Sequence, residues 1–190
     1  LADLMGRAGC LSVMVGVESA DPDVLAAVRK GETIGDIEKG IRMFQDAGIT
    51  VGGYFIIGLP GDSYAAQERS VQFVQHMGMH AHFNMLVPYP QTELWSWAMD
   101  HARFLVDIEE TQHFSDCSER VMPALETDDF PALERKMAYE MANTRLMQFH
   151  MLLPAGLSRM RRAFRWAKLI WTYDRNNILK QLLHCIASPI

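Results

Sequence analysis

The 190-residue chain has little cysteine: Cys10, Cys117 and Cys185 are far apart, odd in number and form no CxxC. Such spacing argues against a disulfide framework and against a self-contained zinc or iron–sulfur site. It suits a reducing compartment, so a cytoplasmic protein is expected. No secretory leader is legible, and no apolar run approaches the ~20 residues of a membrane span. Net charge is only −5, so no nucleic-acid partner is expected. An initiating Met is also missing. The opening LADLMGRAG reads as a helix entered midway and closed by Gly9, and we expect a longer parent protein.

What is present is a core and a punctuated pattern. Hydrophobic residues make up 49% of the chain, enough for one domain with a real interior. The most telling stretch is GGYFIIGLPGD, residues 52–62. Its run Tyr54–Ile57 is short, β-branched and aromatic, and predicts a strand buried on both faces. Gly58, Pro60 and Gly61 then break it into a loop whose backbone a ligand can approach closely. LSVMVGV (11–17) predicts a second strand and residues 80–87 a third, ended by Pro88-Tyr89-Pro90.

Helices alternate with these strands. Asp21-Pro22 opens one that runs to about Lys30, with Gly31 ending it. Thr33 or Asp36 caps the next, which turns Ile34, Ile37, Ile41, Met43, Phe44 and Ala47 inward and stops at Gly48. Tyr64–Met77 follows, with Val71, Phe73, Val74 and Met77 inside, and Thr92 caps a short helix to about His101. This alternation predicts right-handed crossovers and a parallel sheet. Residues 103–129 show no clean period beyond one short strand near 120–125. Asp128-Asp129 caps a helix over 131–151, and helices are expected over 158–173 and 175–186.

The strand ends together resemble the second half of the radical S-adenosylmethionine (radical SAM) core barrel. GCLSVMVGVESADPDVLAAVRK (9–30) is similar to its fourth strand and helix, GGYFIIGLPGD to its fifth strand, and LVPYPQTELW (86–95) to its sixth. The group with a cobalamin-binding domain ahead of the barrel, of the anaerobic magnesium-protoporphyrin ester cyclase type, is the best match. The implied fold class is α/β: the C-terminal half of a partial (β/α)6 TIM-like barrel with parallel strands over 1–126, then an α-helical extension over 127–190. One departure is Gln91, which stands where the family's Pro-x-Pro-Gly-Thr loop has Gly.

The resemblance implies an enzyme that binds S-adenosylmethionine and uses a 4Fe-4S cluster to form a 5′-deoxyadenosyl radical, for methyl transfer or oxidative cyclisation of a small-molecule substrate. The family's CxxxCxxC is absent here. The cluster ligands are therefore expected outside this chain, in the missing N-terminal half of the barrel, and the chain alone is expected to be inactive. Cobalamin, carried by an upstream domain, is left open by the same resemblance. Two other readings stand beside it. One is a cluster-free, non-catalytic partner module. The other is a phosphate-binding α/β barrel, disfavoured because no helix N-terminus with a basic residue follows the glycines at once.

Candidate residues follow from the strand ends. Glu18 can accept from a ribose diol or an ammonium group, or serve as a helix N-terminal charge; the resemblance favours ligand contact, with Ser19 secondary. Lys30 can neutralise a ligand carboxylate or complete a helix dipole, with Arg29 as its alternative. Tyr54, Ile56 and Gly58 share a strand face, and the resemblance sets them beside the adenine, along with Leu86 and Pro88. His76, His80 and His82 form an HxxxHxH, with the last two on one face of a strand. No acid or Cys nearby completes a metal set, and ordinary histidines are the better reading. The basic stripe 157–173 suits weak contact with an anionic membrane surface, or, as we prefer, packing through Trp and Phe with Arg left in water.

Overall fold

A computed structural model describes residues 1–107 and 122–152, with side chains described to residue 147. The helices expected over 158–173 and 175–186 and the basic stripe lie outside the described residues; of the strand expected near 120–125, residues 122–125 are described and only Leu125 is in a strand. Contacts group the chain into two compact units, Leu1–Asn143 and Thr144–Ile190. The expected boundary at 126/127 falls inside the first.

The described elements run in the order α1 (Ala2–Arg7), β1 (Ser12–Glu18), α2 (Pro22–Ala27), α3 (Ile34–Asp46), β2 (Thr50–Ile57), α4 (Tyr64–Met77), β3 (His80–Met85), α5 (Glu93–His101), β4 (Arg103–Phe104), β5 (Leu125–Glu126) and α6 (Ala132–Leu152). Strands β1, β2 and β3 form one sheet in that order, both pairings parallel. This is the expected α/β class, with consecutive strands side by side as in a (β/α) barrel. All three strands therefore end on one edge. Strands β4 and β5 make a separate antiparallel pair.

The helices cover one face of the sheet. Val17, Val51, Phe55, Ile57 and Phe83 are buried there, together with Ile41, Val71 and Val74 from α3 and α4. Phe55 and Phe83 stack at 4.7 Å. The other face is different. Met14 and Tyr54 are 45% and 44% exposed, so β2 is not buried on both faces as its apolar run suggested. Alternation sends the even-numbered residues of β2 to the open side, and a short apolar run does not reveal which side is covered.

Glycine ends three helices just before strands. Cys10 N–H donates to Met5 O and Gly9 N–H to Gly6 O, with equivalent pairs at Ile49/Gly48 and Met79/Gly78. Each is a Schellman motif with a left-handed glycine at its turn. Helix α2 closes in the same way without a glycine. Lys30 N–H donates to Leu25 O and Arg29 N–H to Ala26 O, with Arg29 itself at φ +52. The helix therefore ends at Ala27, earlier than the expected stop at Gly31.

Three further details refine the sequence reading. Thr33 and Asp36 cap α3 jointly as a reciprocal capping box. Met43 faces outward at 51% exposure, unlike the rest of its expected inner face. Asp128 and Asp129 form an exposed turn, and Glu126 Oε2 instead accepts the Ala132 N–H at the start of α6, 2.9 Å away. A glutamate six residues ahead in the sequence lies outside the usual N-cap position and is not recognisable as a cap from local pattern.

Candidate functional site at the strand tips

The carboxyl end of β1 carries an irregularity that aims a side chain. The register with β2 shifts between Gly16 and Glu18, so Gly16 faces Tyr54 while Glu18 faces Phe55. Glu18 takes φ +68, a conformation unusual for a non-glycine residue and typical of functional strand ends. Its carboxylate folds back over Gly16; a Cβ on Gly16 would lie 2.5 Å from Glu18 Oε1.

Lys30 meets it there. Its Nζ donates to Gly16 O at 2.9 Å and stands 3.8 Å from Glu18 Oε1 and from Glu32 Oε2. Both Glu18 and Lys30 are about three-quarters shielded from solvent, at 26% and 23% side-chain exposure. The Schellman turn of α2 makes this possible by returning the chain to the β1 tip. Arg29 points elsewhere, to an exposed ion pair with Glu93 at 3.2 Å. Between the two cations considered, Lys30 is the one at the strand tip.

Tyr54 lies beside this pair. Its register neighbours are Gly16 on β1 and His82 on β3, and its ring lies 5.7 Å from that of His82. Glu18, Lys30, Gly16, Tyr54 and His82 thus form one continuous patch on the open face. It holds an acid, a cation, a ring pair and a backbone stripped of a Cβ. Such a patch can take a zwitterionic head group and an apolar or planar body. Among the described residues no three His, Cys, Asp or Glu side chains group as a metal site.

The other candidates sit deeper. Ser19 is fully buried; its hydroxyl accepts the Asp21 N–H at 3.1 Å, so it orders the loop after β1. Leu86 is a member of a core cluster with Val24, Leu59, Ala66, Ala98 and Leu125, and half-buried Ile56 packs against that cluster. Pro88 is buried. The structure thus brings Glu18, Lys30 and Tyr54 together at the surface and turns Ser19, Leu86 and Pro88 inward. Gln91 adopts φ +68, so the turn is kept although Gly is replaced.

Gly58 has a role of its own. It takes φ +99, and its N–H donates to Asp62 Oδ2 at 2.7 Å. Its amide is therefore engaged within the loop, and the Arg135 guanidinium stands over its Cα. Asp62 is buried and also accepts from Ser63 N–H at 2.7 Å and Gln67 Nε2 at 2.6 Å. Burial pushes its carboxyl up to about 6, against the opposing pull of those donors and of the Arg135 cation. Arg135, from α6, is 1% exposed, and burial lowers it to about 10. The sequence reading missed Gly16, Asp62, Gln67 and Arg135. Asp62 closes the quoted GLPGD motif and was within reach; Arg135 had no local signal.

Residues 1–74 match the profile of the Radical SAM superfamily. The chain also aligns with an uncharacterised methyltransferase of Pyrococcus horikoshii, 32% identical over 100 residues, or 52% of this chain and 22% of that protein. A bacteriochlorophyllide d C-12(1)-methyltransferase of Chlorobaculum tepidum is 31% identical over 117 residues, covering 60% of this chain and 26% of its own. The chain thus spans about a quarter of the length of these relatives. Among solved structures, the radical S-adenosylmethionine methyltransferase TsrM of Kitasatospora setae, with cobalamin and a [4Fe-4S] cluster bound, aligns with TM-score 0.44 and 27% identity. That alignment covers 49% of this chain and 19% of TsrM.

Proposed function

We propose that this chain forms part of the S-adenosylmethionine cradle of a radical SAM methyltransferase acting on a small-molecule acceptor. The observation that carries the reading is the Glu18–Lys30 pair, set by a left-handed strand end at the carboxyl edge of a parallel sheet. Two relatives of about one-third identity named as methyltransferases support the choice of methyl transfer over cyclisation.

The residues present fit the nucleoside's amino-acid end. Lys30 offers a cation to the carboxylate, and Glu18 offers an acceptor to the ammonium or to the ribose diol. Gly16 has no Cβ, and the space above its Cα holds only the flexible ends of Glu18 and Lys30, the two groups offered to the ligand. Tyr54 supplies an exposed ring on the neighbouring strand. When bound, S-adenosylmethionine supplies a sulfonium carbon that can be transferred or released as a radical. The chain's own part is to hold the amino-acid group in register and to keep the strand tips fixed.

The residues do not fit an iron–sulfur cluster. The chain's three cysteines are scattered, and Cys10 donates weakly to the nearby Ser12 carbonyl. Cluster and cobalamin are therefore assigned to other parts of the full-length protein.

The test is titration of the full-length protein with S-adenosylmethionine, comparing wild type with Glu18→Ala and Lys30→Met. Weaker binding in both variants supports the reading. Wild-type affinity in both removes the pair from the cofactor site and ends it.

A further inference from the structure

We infer that Arg135 is a positioning residue: reaching from α6, it clamps the Gly58–Asp62 turn at the tip of β2 and so sets the affinity of the cofactor site. The affinity half of this inference rests on the function proposed above; the clamp itself does not.

The geometry is that of a bracket. The Arg135 guanidinium lies directly against the Cα of Gly58: a Cβ built there would fall 2.9 Å from Cζ and closer still to Nη1. On the other side, Asp62 Oδ2 holds the Gly58 N–H at 2.7 Å. Gly58 is therefore enclosed between a buried cation and a buried carboxylate. Gln67 extends the carboxylate side, donating through Nε2 to both Asp62 Oδ2 at 2.6 Å and Ile56 O at 3.2 Å. That ties the last turn of β2 to α4.

Arg135 is itself held rigidly. Its Nε donates to Phe130 O at 2.8 Å, its Nη2 donates to Thr127 Oγ1 at 3.2 Å, and Cζ sits 5.2 Å from the Phe130 ring centroid. A planar, always-charged guanidinium suits such a place; an ammonium cannot satisfy several directions at once from one plane. Glu126 and Asp62 are the acids that act on it. A buried cation with no partner is costly, so a residue this buried with three fixed contacts is committed to one geometry. Through it, the segment after β5 sets the position of a loop on β2. Nothing in a βαβ unit alone requires that connection.

The test uses the full-length protein, with hydrogen exchange of the peptide spanning 57–63 and binding of S-adenosylmethionine without reductant. Three variants are compared: Arg135→Lys; Arg135→Gln; and Thr127→Val, which loosens the guanidinium without burying a new charge. The clamp predicts faster exchange in 57–63 with β1 and β3 unchanged, larger for Arg135→Lys than for Thr127→Val. Affinity should fall by about fivefold or more for Arg135→Lys. The pH at which affinity is lost on acidification should also rise in Arg135→Gln, because the cation that favours ionised Asp62 is gone; a packing role alone would leave it in place. Wild-type exchange in 57–63 for both Arg135→Lys and Thr127→Val overturns the clamp. Faster exchange with unchanged affinity overturns its link to the cofactor site. Absence of binding by the wild type instead refutes the proposed function, and the exchange comparison still decides the clamp.

Discussion

The ammonium of Lys30 stands 3.8 Å from the carboxylate of Glu18 while donating to the carbonyl of Gly16, the residue over which Glu18 folds. The two charges are not a freely mobile surface pair, since each is about three-quarters shielded and Lys30 is anchored to the backbone. A pair so placed has spare capacity: Glu18 retains acceptor positions and Lys30 retains donors. Removing either partner should cost the cofactor about tenfold in affinity, near 1.4 kcal/mol. The double variant Glu18→Ala/Lys30→Met should lose less than the product of the single losses, because residues in contact couple. Calorimetric titration of the four proteins checks this. Fully multiplicative losses would show that the contact between the two residues carries no part of the binding.

Gly16 and Gly58 should respond oppositely to the same change. At Gly16 an added methyl meets the flexible ends of Glu18 and, at 3.9 Å, Lys30, which can swing aside. Gly16→Ala should leave the melting temperature nearly unchanged while weakening cofactor binding. At Gly58 the methyl meets a fixed guanidinium, and the backbone is at φ +99. Gly58→Ala should destabilise the fold by about 2–4 kcal/mol, combining overpacking with left-handed strain. Denaturant unfolding of the two variants separates the cases.

Much of this was legible because local rules agree. The helix stops at Gly9, Gly48 and Gly78, the caps at Asp21, Thr33 and Thr92 and the three strands all follow from short-range chemistry, and the parallel order follows from their alternation. Glu18 and Lys30 were legible as strand-end and helix-end charges. Their meeting was not, because it depends on a left-handed Arg29 that no propensity favours. The burial of Leu86 was also hidden, since Ala98 of α5 and Leu125 of β5 join its cluster through contacts distant in sequence. Arg135 shows the limit most clearly: it lies on a helix whose pattern carries no sign of the loop it touches.

Arg29 offers a stabilising change. It occupies the position that glycine fills in the other three Schellman motifs, at φ +52. Its ion pair with Glu93 is highly exposed, at 81% and 88%, and adds little. Arg29→Gly should therefore raise stability by roughly 0.5–1 kcal/mol as left-handed strain is relieved. Lys30 should stay in place, so cofactor affinity should not change. Chemical denaturation gives the sign directly, and a loss of stability would show that the Arg29 side chain contributes more than its backbone costs.

Asp62 sets a pH dependence whose sign is unusual for a carboxylate. Burial raises it from 3.8 to about 6, so between these values the folded chain binds the proton that the unfolded chain has released. Stability from this group is fully present below about pH 4 and is lost as pH rises through about 6. The size is bounded by the shift, at most about 3 kcal/mol. Asp21 runs the other way. Burial would raise its carboxyl, but the Val24 N–H, Arg69 and the Asp23 N–H together hold it below its usual value. It therefore contributes stability above about pH 4 that is lost on further acidification. A wild-type stability curve sums both effects, so the informative quantity is the difference between wild type and Asp62→Asn. That substitution keeps the Gly58 N–H acceptor and removes the titration. The difference, wild type minus variant, should fall steadily from pH 4 to pH 6.5 and then level off. A difference that rises over this range would mean that the donors around Asp62 outweigh its burial.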